Sequence, residues 1–469
     1  MNDSLKPQAD AGVTRRSFLK STSTAVAGGT LLSALPIERF AHAASPGDTL
    51  RIGLVGCGGR GRGAAVDSLS GPSDLKLVAL ADATEQAFDT NSKKLFKPIE
   101  MAMEETTNAM KKQDRPERVT VKADKRFVGF DAYKAAIAEA DVVILATPPG
   151  MRPMQFEEAI RQGKHVFMEK PVAVDAPGVR RVLAAAEEAK KKNLKVGVGL
   201  QRRHQSGYLE TIKRIQDGAI GDVSVLRAYW NGSTPWVKRR ADLEAAFGRK
   251  LTEFEYQFHN WYYFVWMCGD HICEQHIHNL DVANWIKGTH PEKARGNGGC
   301  QTRKGKDYGE IFDHHVVEYT YEDGTVLFSQ CRHQNGCWGD VSEHAIGTKG
   351  SVDFDGRGYT IRGENAWRRS EKDNAPYRQE HVDLYDAIRN DKPYNEAFYG
   401  AMSTMTAILG RMSTYSGKEI TMKEALASNI DTMPKNLAWD AEPPVKPDAD
   451  GMYKLPIPGV TDVLRARNA

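Results

Sequence analysis

Apolar residues along this chain follow two regimes. Between residues 50 and 200, short unbroken apolar runs alternate with longer stretches of helical periodicity. The runs are Ile52-Gly53-Leu54-Val55, residues 75–81, residues 141–146, His165-Val166-Phe167-Met168 and residues 195–200. Runs of about 4–8 apolar residues with no polar alternation mark strands covered on both faces. Between them, residues 131–140, 154–162 and 179–192 read as helices, the second closed by Gly163. Residues 84–118 read as a long charged helical excursion on the surface. Strand and helix in strict alternation predict a doubly wound parallel sheet, an α/β Rossmann domain.

Beyond residue 200 the pattern changes. Residues 206–217 are helical, and strand-like runs follow at 223–229, 316–321, 325–330 and 351–354, with an Asp323-Gly324 turn between the middle two. Widely spaced strands joined by such turns predict a C-terminal α+β domain with a large, mainly antiparallel sheet. Residues 383–389 and 401–415 read as late helices, and the chain from 429 is rich in Pro and Asp. The expected organisation is a leader over 1–43, a dinucleotide domain over 44–172, a substrate and oligomerisation domain over 173–428, and a tail over 429–469.

The leader is an address. Thr14-Arg15-Arg16-Ser17-Phe18-Leu19-Lys20 precedes a mildly apolar run over 25–35, and Ala41-His42-Ala43 offers a small-x-small cleavage site. This is the pattern of a twin-arginine export signal. The apolar run is far short of the ~20 residues of a bilayer span, so no permanent membrane anchor is expected. The expectation is a periplasmic protein, exported folded by the twin-arginine machinery with its cofactor already loaded. Net charge is +3; the leader's five basic and three acidic residues leave residues 44–469 at about +1. No basic stripe stands out, which argues against a nucleic-acid partner. Folding before export also predicts that the six cysteines are thiols, with Cys331–Cys337 the first pair to check.

The strand over 52–55 runs into Gly56-Cys57-Gly58-Gly59-Arg60-Gly61, a G-x-G-x-x-G turn. Gly56 allows the tight turn, Gly58 lets the backbone approach a pyrophosphate, and Gly61 lets the next helix pack against the strand. Gly59 and Arg60 open that helix, whose N-terminus faces the phosphates. The second strand ends in Asp82, whose carboxylate is expected to accept both hydroxyls of an adenosine ribose. That favours NAD, with NADP as the alternative because Arg60 and Arg62 lie close by. The later strands end in Thr147-Pro148 and Glu169-Lys170-Pro171, which should line the same crevice.

The glycine turn, Thr147-Pro148, Gly163-Lys164-His165-Val166 and Glu169-Lys170-Pro171 together resemble the Gfo/Idh/MocA oxidoreductase family. The resemblance extends through Gln201-Arg202-Arg203-His204 to a stretch bearing Glu274, His278 and Asp281. There Glu274 stands where the family pattern D-x-x-x-H-x-x-D has an aspartate. It implies hydride transfer between a nicotinamide and a secondary hydroxyl of a sugar, glycoside or cyclitol. His278 is implied as general base, Lys170 as donor to the same oxygen, and Glu274 or Asp281 as orienting groups. On one helix Glu274 and His278 share a face, and a carboxylate there should raise the imidazole pKa. The resemblance also implies a homo-oligomer, dimer or tetramer, formed through the second sheet.

Arg203, His204, Trp230, Tyr262 and Tyr263, with Asn231 and Trp236 nearby, are candidates to meet the substrate, since rings stack on sugar C–H faces. Arg152 stands where similar proteins often carry a His, and a substrate carboxylate could explain it. His271, Glu274 and His278 at i, i+3 and i+7 form a rival zinc set, but no C-x-x-C or H-E-x-x-H spacing accompanies them, and no metal is expected. Two other functions use the same residues: a glycoside hydrolase or lyase working through transient NAD-dependent oxidation, and a binding protein without turnover.

Overall fold

The structure is a computed structural model that describes residues 48–356 and 358–465. The proposed export signal lies outside these residues. The first sheet has six parallel strands: β1 Leu50–Val55, β2 Leu75–Asp82, β3 Arg126–Val128, β4 Val142–Leu145, β5 His165–Met168 and β6 Val196–Val198. Their spatial order is β3-β2-β1-β4-β5-β6, the doubly wound dinucleotide-binding order. Its sixth strand lies beyond residue 172, where the sequence placed the end of this domain.

The unbroken apolar runs have their expected cause. Val143 and Leu145 of β4 face helices Ala132–Glu139, Arg152–Arg161 and Ala176–Lys191, while Val142 and Ile144 face helices Gly59–Leu69 and Pro98–Lys112. The second face is completed from far along the chain. Leu384, Tyr385 and Ile388 of helix Pro376–Arg389 join the same core cluster as Ile52 and Phe167. Residues 84–118 are not one surface helix. They form a small hairpin, Ala87–Phe88 against Leu95–Phe96, and then helix Pro98–Lys112. That helix buries Ile99, Ala102, Thr106 and Met110, so it closes the sheet core as well as carrying charge outward.

The second sheet has nine strands and is mostly antiparallel. Strand Val223–Gly232 lies inside it, parallel to Val326–His333 and antiparallel to Asp340–Gly347. Asp340–Gly347, Lys293–Gly299 and Tyr359–Gly363 are strands that the sequence pattern did not mark. Helix Ala397–Ser416 is buried along nearly its whole length. It packs against helix Ala176–Lys191 of the first domain and strand Lys293–Gly299 of the second, so the two sheets share one core.

The tail is part of the fold. The Trp439 ring sits 4.5 Å from Phe130 and 5.2 Å from Phe258, ring centroid to ring centroid. The Tyr453 hydroxyl donates to Glu253, and Trp439 O accepts from Thr252. All six cysteines are free, with Cys331 buried and Cys337 exposed. Among the described residues no helix is long and apolar enough to cross a membrane.

Six fully or nearly fully buried histidines, His259, His276, His278, His315, His333 and His381, have pKa values lowered by burial. Below pH 6.5 the unfolded chain takes up protons that the native state refuses, so stability falls as pH falls. Each group adds up to about 1.4 kcal/mol per pH unit to that slope. His204, raised to about 10, is protonated in both states below 6.5 and adds no slope there, while Glu310, raised to about 7 by burial, and Glu380, also raised by burial, take up protons in the native state and offset two of the six. The melting temperature is therefore expected to drop steeply between about pH 6.5 and 5. A thermal melt that stays flat over that range would contradict this account.

Candidate functional site

A cleft of about 730 Å³ runs across the carboxyl ends of β1, β2, β4 and β5, where an open parallel sheet binds ligands. One wall is the Rossmann domain: Gly56, Gly58, Gly59, Arg60, Asp82, Thr147, Pro148, Glu169 and Lys170. The other comes from the second domain, with Trp230, Trp236, Lys238, Tyr262, Glu274, Gln275 and His278.

The glycine turn has the form a dinucleotide needs. Gly56 has φ 95°, and a Cβ there would lie 2.6 Å from the Ala146 carbonyl carbon and the Thr147 nitrogen. A Cβ on Gly61 would lie 1.8 Å from Gly56 O, so strand and helix touch only because both residues are glycine. At Gly58 and Gly59 a Cβ would meet nothing within 4 Å, which leaves the backbone bare towards the cleft. Helix Gly59–Leu69 begins with no side-chain cap and no acidic residue in its first turn. Its first N–H groups are thus left for an anion. The residues present fit a dinucleotide.

Asp82 ends β2 in the cleft, buried deeply enough to raise its pKa against the hydrogen bonds it accepts. Its Oδ2 accepts from Cys57 N at 2.8 Å, and its Oδ1 from Thr84 N at 2.9 Å and Thr84 Oγ1 at 3.1 Å. Of about four lone-pair sites three are filled, so Asp82 has room for one ribose hydroxyl, not the two expected from the sequence. Arg60 is likewise engaged within the protein. Its Nε donates to Glu169 Oε1 at 2.5 Å and its Nη2 to Glu380 Oε1 at 3.1 Å. Burial opposes the guanidinium charge, but these carboxylates outweigh it and raise the Arg60 pKa.

The chemistry end differs from the single-helix expectation. The chain breaks between helices His271–Glu274 and Ile277–Lys287, so Glu274 and His278 lie on separate elements. Glu274 faces Lys170: the Lys170 ammonium donates to Glu274 O and to Glu274 Oε1, the latter at 3.2 Å. Among the described residues no carboxylate pairs with His278. Its ring stacks on Trp230 with centroids 5.9 Å apart and planes at 24°, and its Nδ1 is buried without a partner. Burial, then Lys170, Arg202 and Arg60, push its pKa well below the usual imidazole range, the reverse of the rise expected from the sequence. The Tyr262 hydroxyl is buried beside them, also without a partner among the described residues.

Other candidates lie elsewhere. Asp281 is 1% exposed and outside the cleft, held by Arg203 Nε at 2.9 Å, Arg203 Nη2 at 2.8 Å and Ser403 Oγ at 2.7 Å. Arg203 in turn stacks on Tyr399, and the pair fixes helix Ile277–Lys287 rather than a substrate. His204 bonds Asp383 at 2.6 Å and Glu396 at 3.2 Å, and these partners overcome burial and lift its pKa to about 10. Tyr263 is fully buried and donates to Pro235 O at 3.3 Å. Arg152 lines the floor but donates to the Thr147 and Pro171 carbonyls, so it shapes the cleft and is not free for a substrate carboxylate.

His271, Glu274 and His278 are not among the described groups whose ligand atoms converge. Asp270, His271 and His315 do meet, with ligand atoms within 4.8 Å of one another. However, both Asp270 oxygens are occupied: Oδ1 by His271, and Oδ2 by Phe312 N at 3.0 Å, the Tyr415 hydroxyl at 2.5 Å and His315 at 3.2 Å. Gln201, Gln275 and Lys238 are cleft residues that sequence reasoning missed. Gln275 sits inside the motif stretch and was within reach, whereas Lys238 belongs to an irregular segment with no periodic signal.

Residues 50–199 match the GFO_IDH_MocA family, described as an oxidoreductase family with an NAD-binding Rossmann fold. Over this stretch the chain is similar to the NAD-binding domain of that family. The chain is 32% identical to inositol 2-dehydrogenase of Rhizobium meliloti (strain 1021) over 178 residues, 38% of this chain and 44% of that protein. It is 26% identical to 2,7-anhydro-N-acetylneuraminate hydratase of Escherichia coli (strain K12) over 225 residues, 46% of this chain and 51% of that one. The chain thus spans about half the length of these curated relatives. Aldose-aldose oxidoreductase from Caulobacter crescentus, solved with glycerol, shares the fold with TM-score 0.60 at 17% identity, over 80% of this chain and 100% of that one.

Two glycine variants separate ligand contact from protein packing in this domain. Gly58→Ala projects only into the cleft. It should leave the melting temperature unchanged and weaken nicotinamide-dinucleotide binding by calorimetry. Gly61→Ala drives a methyl into Gly56 O. It should lower stability by roughly 1–3 kcal/mol as well. Equal melting temperatures for the two variants would refute this assignment.

Proposed function

We propose that this protein is a periplasmic NAD(P)-dependent oxidoreductase acting on a secondary hydroxyl of a neutral sugar, glycoside or cyclitol. The observation that carries the reading is one cleft holding the bare glycine turn at one side and Lys170 with an uncharged His278 at the other. A bound nicotinamide supplies the hydride acceptor. His278 takes the hydroxyl proton: it is unprotonated at neutral pH, and with Nδ1 buried its Nε2 is the nitrogen left for the substrate. Lys170, anchored on Glu274, donates a hydrogen bond to the same oxygen as negative charge develops. Trp230 backs His278 and offers an apolar face, while Gln275 and Tyr262 are placed to meet hydroxyls.

A neutral substrate follows from the charges. At this end Lys170 is paired with Glu274, Arg60 with Glu169 and Glu380, and Arg152 with two carbonyls. Among the described residues no cation at this end of the cleft remains to meet a substrate carboxylate or phosphate. Transient oxidation followed by elimination is the second reading, favoured by the likeness to a hydratase. It uses the same Lys170 and His278. Product analysis separates the two: a broken bond with no net change in nucleotide supports elimination.

The export expectation adds that the cofactor is held between turnovers. The mature protein, purified without added nucleotide and denatured, should release near-stoichiometric nicotinamide nucleotide, identified by absorbance and mass spectrometry. An empty protein that binds NAD only weakly would count against the reading. Lys170→Ala and His278→Ala should each lower kcat by about 10²–10⁴. Because the His278 pKa is lowered and its unprotonated form is the active one, kcat/KM should stay level as pH falls through 6.5. An acid limb centred at or above 6.5 would refute the role given to His278.

The assembly is part of the proposal. Val316, Phe328 and Ile346 lie on the outer face of the nine-stranded sheet, 44–48% exposed. A second copy is the proposed cover for this face. Light scattering should give a dimer or tetramer that Phe328→Glu dissociates.

A further inference from the structure

A second cavity, of about 300 Å³, lies between the tail, the start of helix Ala176–Lys191 and helix Ala397–Ser416. It shares no lining residue with the nucleotide cleft. Its apolar walls include Val265, Trp266, Ile408 and Met412, with Pro444 and Val463 from the tail. An apolar cavity of only ~150 Å³ is enough to take up benzene. Charged side chains line it too, four carboxyls, Asp175, Glu310, Asp431 and Asp462, against the single guanidinium of Arg411.

Most of these charges are spent within the protein. Asp175 Oδ1 accepts from Gly178 N, and its Oδ2 from Thr432 N and Thr432 Oγ1, each at 2.8 Å. Asp431 and Asp462 are exposed and cap their own backbone, accepting from Met433 N and Leu464 N at 2.9 Å. Arg411 donates to Gly269 O at 2.8 Å. Burial opposes the Arg411 charge, but the groups around it, Asp270 and Asp175 among them, outweigh burial and raise its pKa. Glu310 differs. Its N donates to Tyr263 O at 3.1 Å and its Oε1 accepts from Val265 N at 3.2 Å, so the carboxyl is fixed at the cavity wall. Its Oε2 accepts from nothing among the described residues, and it forms no ion pair with Arg411. We infer that this cavity is a second binding site, one that takes an organic cation: a primary amine on an apolar body, with its ammonium on Glu310 and its body against Trp266 and Met412.

The charge environment agrees with this. Burial pushes the Glu310 carboxyl up to about 7, and neither the Val265 bond nor Arg411 offsets it. Arg411 and Tyr415 face it from helix Ala397–Ser416, Asp270 from beneath Tyr415, and Asp175, Asp431 and Asp462 from around the cavity. Burial and Asp270 keep Tyr415 protonated, and His315 and His271 keep Asp270 ionised against burial, so neither changes charge between about pH 6 and 8. A ligand ammonium, charged throughout that range, supplies the counter-charge that Glu310 lacks.

The test uses three probes of nearly one shape, 2-phenylethylamine, 2-phenylethanol and phenylacetate, titrated calorimetrically into the full-length protein. At about pH 8 wild type should bind the amine at least tenfold more tightly than the alcohol, with phenylacetate weakest. Amine affinity should fall about tenfold from about pH 8 to 6 as Glu310 takes up its proton, while alcohol affinity stays level. Glu310→Gln keeps an acceptor for Val265 N and should abolish both the preference and the pH dependence. Val463→Trp fills the cavity from the tail side and should weaken amine and alcohol alike. A preference that survives Glu310→Gln, or affinities untouched by Val463→Trp, would place the amine elsewhere and overturn the inference. Equal affinity for amine and alcohol would overturn it too, as would tighter binding of phenylacetate, which would make Arg411 the anchor. Failure of all three probes to bind at millimolar concentration would equally refute it. None of these outcomes bears on the redox reading of the cleft.

Discussion

One half-buried guanidinium ties the site together. Arg60 belongs to the glycine turn, Glu169 to the end of β5, and Glu380 to a helix more than two hundred residues further on. Their contact joins the phosphate turn, the Glu169-Lys170-Pro171 corner and the helix that closes one face of the parallel sheet. Burial raises the Glu380 pKa, as does Glu169, while Arg60 pulls it back down. Removing Arg60 would leave two buried carboxylates without their cation, a cost below the roughly 3–5 kcal/mol of a fully buried pair because Arg60 itself is a third exposed. The position of Lys170 inherits this constraint, because the residue before it is one of the clamped carboxylates.

The same economy of charge shapes the chemistry. Carboxylates at the chemistry end of the cleft are spent on cations: Glu274 on Lys170, and Glu169 on Arg60. None of the described ones is left beside His278, which therefore sits buried among positive charges and stays neutral. A neutral imidazole is ready to accept a proton without first losing one. Pairing elsewhere also moves residues out of contention. Asp281 and Arg203 satisfy each other, and their function is to hold the helix that carries His278.

Aromatic packing closes the other end of the cleft. Phe88 of the small hairpin, Leu243, Phe254 and Phe258 of the second domain, and Trp439 of the tail pack in one cluster. The hairpin is also pinned by Lys93 to Asp242 at 2.9 Å. The segment bearing Trp236 and Lys238 is thereby held over the end of β2. The tail, unreadable as a motif, completes this wall.

The parallel domain was legible because its signals are local. A strand buried on both faces must be apolar throughout, and a turn against a helix must be glycine where Gly56 and Gly61 touch. The residues at strand ends, Asp82, Thr147, Glu169 and Lys170, followed from those strands and from the rule that ligands bind at their carboxyl ends. In the second domain the pattern marked the strands around Asp323-Gly324 but not Lys293–Gly299, whose glycine-rich sequence has no apolar alternation. Charge states were not legible. Glu274 and His278 are four residues apart, and only the break between two helices decides that the carboxylate turns to Lys170 instead. The fate of a charged side chain depends on which opposite charge folds against it, and that partner lies tens or hundreds of residues away, as for Arg60, Asp281 and His204. The sequence by itself determined which backbone could form a nucleotide turn. Tertiary structure alone decided which of the charged residues remained free to meet a ligand, because long-range pairing and burial, not residue type, set their charge and reach.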